Sequence, residues 1–135
     1  MQSEIELIER TYRAYFTVFQ IGNPRAITPY YHIPSIFLSS AGTFVLASVQ
    51  EAEHFLERSI YALRKRGYSR SVLTSVQVKQ LADDLALLHA RGDRFTSSGD
   101  LFERMSAVYT LRQTEGTWRI AAAAMCDPDR PFELA

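Results

Sequence analysis

The sequence predicts an α+β domain in which N-terminal helices pack on one face of an antiparallel sheet. Residues 3–67 contain two segments with helical apolar spacing, each opened by a capping box and closed by a glycine. Residues 72–126 alternate instead as strands do, with turn residues between them. No proline lies between Ser35 and Asp127, which leaves that stretch open to long regular elements. Helices followed by a run of strands are typical of α+β folds.

Length and composition indicate one globular unit. The 135 residues suit a single domain over 1–135, with its core at about 3–127 and a short tail at 128–135. The 15 basic residues balance 15 acidic ones, which argues against a nucleic-acid-binding protein. One cysteine, Cys126, excludes an internal disulfide and a cysteine-based zinc site. No signal peptide or membrane span is evident, so we expect a cytoplasmic protein that binds no membrane.

The first helix is expected to begin after Ser3, because Ser3-Glu4-Ile5-Glu6 is a capping box. Gly22 and Pro24 end it. Its predicted buried stripe consists of Ile5, Ile8, Tyr12, Tyr15, Phe16 and Phe19. Residues 24–31 follow as a short helical stretch interrupted by proline, and residues 35–38 and 43–46 predict a small hairpin.

A second long helix is predicted after Ser48, the first residue of the capping box Ser48-Val49-Gln50-Glu51. Gly67 suits the position just after its end. Its predicted buried stripe consists of Ala52, Phe55, Leu56, Ile60 and Leu63. The basic run 64–66 falls in the last turn, where cations complement the helix dipole.

Four antiparallel strands complete the predicted fold. Val72, Thr74, Val76 and Val78 alternate along the first of them. The others are expected at residues 85–95, 101–113 and 117–126, separated by polar or glycine-containing turns. Gly92, late in its strand, suggests a bulge.

Two motifs carry a family resemblance. Glu115-Gly116-Thr117-Trp118-Arg119-Ile120 places a tight turn before a Trp-basic-aliphatic strand start. The first helix ends at Gly22 and is followed by Ala26, the Tyr30-Tyr31 pair and a strand at 35–38. Over residues 3–127 this order resembles the nuclear-transport-factor-2-like superfamily, in particular its SnoaL-like and ketosteroid-isomerase-like branch. The resemblance implies the cystatin-like fold, a cone-shaped barrel whose bent sheet wraps around the helices and leaves a pocket at its open end.

The resemblance does not choose a function, because this superfamily contains isomerases, dehydratases, cyclases, ligand binders and association modules. Ketosteroid isomerases use a carboxylate base on the first strand, where residues 35–40 here hold neither an acid nor a histidine. The nearest match to the cyclases' acid/base aspartate is Asp127. His32, beside the expected pocket mouth, is the best general-base candidate, and Tyr15 is a candidate proton donor.

The other histidines show no metal-binding motif, and no metal or cofactor is expected. His54 reads as a helix-surface residue. His89 shares a strand face with Arg91, and that pair either binds an anion or forms the solvated side of the strand.

Aromatic residues are the most informative group. In the resembled fold they lie on the elements that line the pocket, where they either enclose an apolar ligand or fill the barrel. The predicted ligand-binding set is Tyr12, Tyr15, Phe16, Phe19, Tyr31, Phe37, Phe55 and Tyr109.

The leading interpretation is a small-molecule-binding or accessory domain with an apolar, aromatic-lined pocket and no assignable catalytic set. The alternatives are an isomerase-, dehydratase- or cyclase-type enzyme using His32 or Asp127 with a Tyr donor, and a non-catalytic association module. We also expect a homodimer through the sheet, because both faces of the late strands are apolar. Simple alternation places Trp118, Ile120, Ala122, Ala124 and Cys126 on one face of the last strand, and Ala121, Ala123 and Met125 on the other.

Overall fold

A computed structural model describes residues 3–134 of the chain. The helices are α1 (Glu4–Ile21), α2 (Pro24–Ile27) and α3 (Val49–Lys65), with a 3₁₀ turn at Thr28–Tyr30. The strands are β1 (Tyr31–Ser39), β2 (Gly42–Leu46), β3 (Tyr68–Ala82), β4 (Leu85–Thr96), β5 (Leu101–Thr114) and β6 (Thr117–Cys126). The predicted α+β order is therefore confirmed, although β1 begins four residues earlier than expected and runs through the cis Ile33–Pro34 bond.

The six strands form one bent sheet in the order β2-β1-β6-β5-β4-β3. All neighbouring pairs are antiparallel except β1 and β6, which are parallel. The helices cover one face, called here the inner face, and the opposite one is the outer face. No helix within residues 3–134 is long and apolar enough to cross a membrane.

The ends of the long helices follow their capping boxes. The Glu6 N–H donates to Ser3 Oγ at 3.1 Å, and the Glu51 N–H donates to Ser48 Oγ at the same distance. Gly22 ends α1 in the left-handed conformation, with φ 81°. One member of the predicted α1 stripe is wrong, because Ile5, in the first turn of the helix, is 45% exposed.

Polar contacts fix both ends of α1 to the sheet. At its start, the Trp118 indole N–H donates to Glu4 Oε1 at 2.6 Å, and the Gln113 amide donates to the same oxygen at 3.1 Å. At its end, Gln20 Oε1 accepts the Ser71 N–H at 2.9 Å. These contacts hold the tyrosine-bearing face of α1 against the inner face of the sheet.

A β-bulge in β6 corrects the predicted faces of that strand. Thr110 is opposite Ala122 while Leu111 is opposite Ile120, so Ala121 is an extra residue without a partner on β5. Beyond the bulge Ala123 and Met125 join Trp118 and Ile120 on the inner face, whereas Ala122, Ala124 and Cys126 face outward. Strict alternation misplaced this set because one inserted residue reverses every later side chain.

A second bulge lies in β3, where Leu73 is opposite Gly92 and Ser75 is opposite Arg91. It sends Val72 outward, 44% exposed, while Val76 and Val78 pack on the core. The bulge predicted at Gly92 therefore lies on the opposing strand. A Cβ at Gly92 would stand 2.9 Å from the Val72 carbonyl oxygen, so only glycine fits this approach without a shift.

The C-terminal segment after β6 lies across the outer face. Arg91 donates to the Pro128 and Arg130 carbonyl oxygens at 2.9 and 2.8 Å, and Arg104 pairs with Asp129. The Phe132 ring lies 4.5 Å from the His89 imidazole, centroid to centroid. His89 is consequently only 1% exposed, so the interpretation of this position as a solvated strand face is wrong.

Candidate functional site

A cavity of about 230 Å³ lies between α1, α3 and the inner face of the sheet. It is located where β1, β4 and β6 approach their carboxyl ends, beyond the filled part of the core. Most of its wall is aromatic or aliphatic, and its polar groups are two phenols, two hydroxyls and one guanidinium. The lining residues are Tyr15, Phe19, Tyr31, Phe37, Ser39, Phe55, Leu56, Ser59, Leu63, Arg94 and Met125.

Two tyrosine pairs stand at the inner end of this cavity. The Tyr15 and Tyr31 hydroxyl oxygens lie 2.7 Å apart, and the Tyr12 hydroxyl donates to Tyr109 at 3.1 Å. All four side chains are buried. Burial, the largest cause, and the surrounding phenols raise the pKa of Tyr12 and Tyr15 well above the ordinary value, and burial also raises those of Tyr31 and Tyr109. All four phenols are therefore neutral hydrogen-bonding groups at physiological pH.

Arg94 supplies the single charged side chain of the described lining. Its Nη1 lies 2.8 Å from Glu103 Oε1, on the residue directly opposite in β5. Arg66, at the end of α3, approaches the other oxygen of the same carboxylate at 3.2 Å. The three side chains form a chain from the cavity to solvent, with exposures of 15% for Arg94, 30% for Glu103 and 58% for Arg66.

Five of the eight aromatic residues predicted to bind a ligand line the cavity: Tyr15, Phe19, Tyr31, Phe37 and Phe55. Tyr12, Phe16 and Tyr109 lie behind this wall. The Tyr12 ring is 5.7 Å from Tyr15, 6.2 Å from Phe16 and 4.9 Å from Tyr109, measured between ring centroids. These three residues support the lining tyrosines from the core without lining the cavity themselves.

The two acid/base candidates lie away from the cavity. His32 is on the outward side of β1, and its Nδ1 is 2.8 Å from the Pro34 carbonyl oxygen. Asp127 is exposed beyond the end of β6, where it accepts the Asp129 N–H at 2.9 Å and lies 3.5 Å from Arg130 Nε. Of the three catalytic candidates, only Tyr15 lines the cavity.

His54 lies in an open groove of about 560 Å³ between β2 and α3, beside Glu51 and Arg58. Phe55 borders both this groove and the cavity. Within residues 3–134, no cluster of three or more His, Cys, Asp or Glu side chains is arranged to hold a metal ion.

Sequence reasoning missed six lining residues: Ser39, Leu56, Ser59, Leu63, Arg94 and Met125. A signal for Arg94 was present, because it lies in alternation with the core-facing Ala86, Leu88 and Ala90 along one strand. Ser59 is one helical turn after Phe55, on the buried stripe of α3. Met125 was hidden by the bulge in β6, which decides the face it occupies.

Solved structures of other proteins share this fold. An NTF2-like protein of unknown function from Pseudomonas putida is 16% identical, with a TM-score of 0.73, covering 96% of this chain and 88% of that one. An NTF2-like protein with a cystatin-like fold from Novosphingobium aromaticivorans is 15% identical, with a TM-score of 0.68, covering 93% and 90%. The TM-scores and coverages show a common fold, and identities this low show no common activity.

A third similar structure is a putative calcium/calmodulin-dependent protein kinase II association domain from Xanthomonas campestris. It is 17% identical, with a TM-score of 0.69, and the match covers 96% of this chain and 91% of that one. No curated protein matches the chain. The family described as NTF2-like protein (DUF6841) matches residues 3–128, nearly the whole chain. This match and the shared cystatin-like fold confirm the predicted superfamily. The chain therefore belongs to the NTF2-like family DUF6841.

Proposed function

We propose that the chain binds a small aromatic or alicyclic molecule in the cavity between α1, α3 and the sheet. The observation that supports this proposal is the composition of the wall, where aromatic side chains surround a space with a few convergent polar groups. Such a wall is typical of small-molecule sites. The volume of about 230 Å³ is smaller than the roughly 300–1,000 Å³ usual for drug-sized ligands, so the ligand is compact.

The aromatic residues are arranged to hold a flat ligand. The Phe37 and Phe55 ring centroids lie 4.9 Å apart at an interplanar angle of 53°, and Tyr15 and Tyr31 meet edge to face at 5.7 Å. A flat ligand that lies against these two pairs, whose rings already contact each other, gains stacking and edge contacts beyond simple burial. Ser39 and Ser59 supply hydroxyl groups along the same wall.

The tyrosine pair favours binding over acid/base catalysis. The raised pKa of Tyr15 keeps its hydroxyl protonated, so it donates or accepts a hydrogen bond at neutral pH and does not remove a proton. In the Tyr15–Tyr31 pair one hydroxyl donates to the other, and the accepting hydroxyl keeps its own proton for a carbonyl of the ligand. This supports recognition of a ring that bears an acceptor.

Titration calorimetry and thermal unfolding with 2-naphthamide, a neutral two-ring amide, test this function. When the free ligand concentration is 100 times the dissociation constant, binding adds about 2.7 kcal/mol to the free energy of unfolding. Ser59→Phe fills the cavity and is expected to abolish binding of the probe. The control Ser59→Ala removes the hydroxyl without adding volume, and it is expected to bind the probe as the wild type does. Binding that survives Ser59→Phe, or no binding to the wild type, contradicts the proposal.

We also propose a cytoplasmic homodimer formed through the outer face of the sheet. Leu38, Ala124, Val108 and His89 lie side by side across four strands of that face. Phe132 covers the β4 end of this row, while Leu38 at the β1 end is 39% exposed. A twofold partner that buries the open end removes apolar surface from water.

A further inference from the structure

We propose that the ligand of the cavity is a compact aromatic or alicyclic carboxylic acid whose carboxylate binds the Arg94 guanidinium. This inference rests on the proposed binding function and adds the charge and chemical class of the ligand. Arg94 supplies a positive charge to a cavity wall whose other described residues are neutral and mainly apolar.

The position of Arg94 is unusual for a cation. It follows Ala86, Leu88 and Ala90 on the inner side of β4, and its side chain is only 15% exposed. Removing a guanidinium from water is costly unless its charge is balanced and its donors are satisfied. An anion on the cavity side meets both requirements.

Glu103 balances this charge only in part, because it is shared. Arg94 Nη1 approaches Oε1 of Glu103 at 2.8 Å, and Arg66 Nη2 approaches Oε2 at 3.2 Å. Two guanidinium groups against one carboxylate leave a net charge of about +1 on the cluster. Arg66 is the most exposed of the three and Arg94 the least, so the guanidinium of Arg94 is the cation that lies beside the cavity.

The donors of Arg94 suit a carboxylate. A guanidinium carries five N–H donors in a planar fork, and the described hydrogen bond to Glu103 uses Nη1. Within residues 3–134 nothing accepts a hydrogen bond from Nη2 or Nε, and such a fork binds a planar anion through two parallel hydrogen bonds. Phe37 and Phe55 on the same wall accept the ring of the ligand, which fixes the class as a ring-bearing acid.

The test compares 2-naphthoate with 2-naphthamide, two probes of the same shape that differ in charge. Titration calorimetry at neutral pH is expected to show at least about tenfold tighter binding of the naphthoate to the wild type, the size of a charged hydrogen bond. In Arg94→Gln this ratio falls to about one while naphthamide still binds. The control Arg112→Gln makes the same charge change on β5, where Arg112 faces Asp84 and not the cavity, and keeps the tenfold ratio.

The failures of the two proposals are distinguishable. If the wild type binds both probes equally, the carboxylate inference is overturned and the cavity remains a neutral ligand site. If neither probe binds, both proposals are overturned. Glu103→Gln provides a second variant in case Arg94→Gln does not fold: removing the competing carboxylate raises the naphthoate preference above the wild-type ratio, and an unchanged or lower ratio overturns the inference.

Discussion

The hydroxyl oxygens of Tyr15 and Tyr31 lie 2.7 Å apart at the wall of the cavity, although one residue lies in the first helix and the other opens the first strand. Behind them Tyr12 and Tyr109 form a second pair between helix and sheet. The four rings link α1 to β1 and β5, so the cavity wall and the core are parts of one tyrosine cluster.

Loss of one hydroxyl from this cluster is expected to destabilise the fold. Tyr31→Phe leaves the Tyr15 hydroxyl without its partner in a buried position, which costs about 1–2 kcal/mol. Tyr61→Phe is the matched control, because Tyr61 is 66% exposed on α3 and its change stays within about 0.5 kcal/mol. Urea denaturation measures both variants, and equal effects from the two would contradict the role of the pair.

The bulge in β6 predicts unequal losses of stability at two adjacent alanines. Ala123 is 1% exposed on the inner face, so Ala123→Leu overpacks the core and costs about 1–3 kcal/mol. Ala124 faces outward, and Ala124→Leu is expected to cost less than about 1 kcal/mol. Chemical denaturation measures the free energy of unfolding of both variants and of the wild type. A larger loss at Ala124 would mean that the strand alternates without the bulge.

Burial of His89 predicts a loss of stability in acid. Burial, and then the nearby Arg91, lower the pKa of His89 below its ordinary value of about 6.5. Below that value the unfolded chain binds a proton that the folded chain resists, so the free energy of unfolding falls as the pH decreases through about 6.5. His89→Gln should remove this component, whereas the exposed His54→Gln should retain it. Identical slopes in the wild type and His89→Gln would refute this assignment.

The proposed dimer predicts a solution mass of twice the 15.4 kDa of one chain. Leu38→Arg places a charge at the exposed end of the row formed by Leu38, Ala124, Val108 and His89, and is expected to yield monomers. Ser69→Arg adds the same charge at an exposed position of β3 and should leave the dimer intact. Light scattering at micromolar concentration measures all three proteins. A wild-type mass of one chain would overturn the dimer.

The helix ends and most strand limits could be predicted from sequence because their signals are local. Ser3 and Ser48 each cap a helix by accepting the N–H of the glutamate three residues later in the chain. Gly22 ends the first helix in the left-handed conformation that glycine favours. The turn at Glu115 and Gly116 likewise adopts positive φ at both residues. Each of these features depends on a few neighbouring residues.

What could not be predicted depends on residues distant in the chain. The bulge at Ala121 follows from pairing with β5, and the parallel pairing of β1 with β6 joins strands almost ninety residues apart. His89 is buried by Phe132, which no periodicity in β4 reveals. Arg94 lines the cavity only because α3 packs over this part of the sheet.

Methyl NMR of the methionines tests the central claim, that a small ring-bearing molecule binds in this cavity, most directly. Met125 lines the cavity, whereas Met105 packs in the core beside Gly92 and serves as an internal reference. Titration with 2-naphthamide is expected to shift the Met125 methyl signal through the ring current of the bound probe and to leave that of Met105 in place. An unmoved Met125 signal at saturating probe, or equal shifts of both methyl groups, would contradict binding in the cavity.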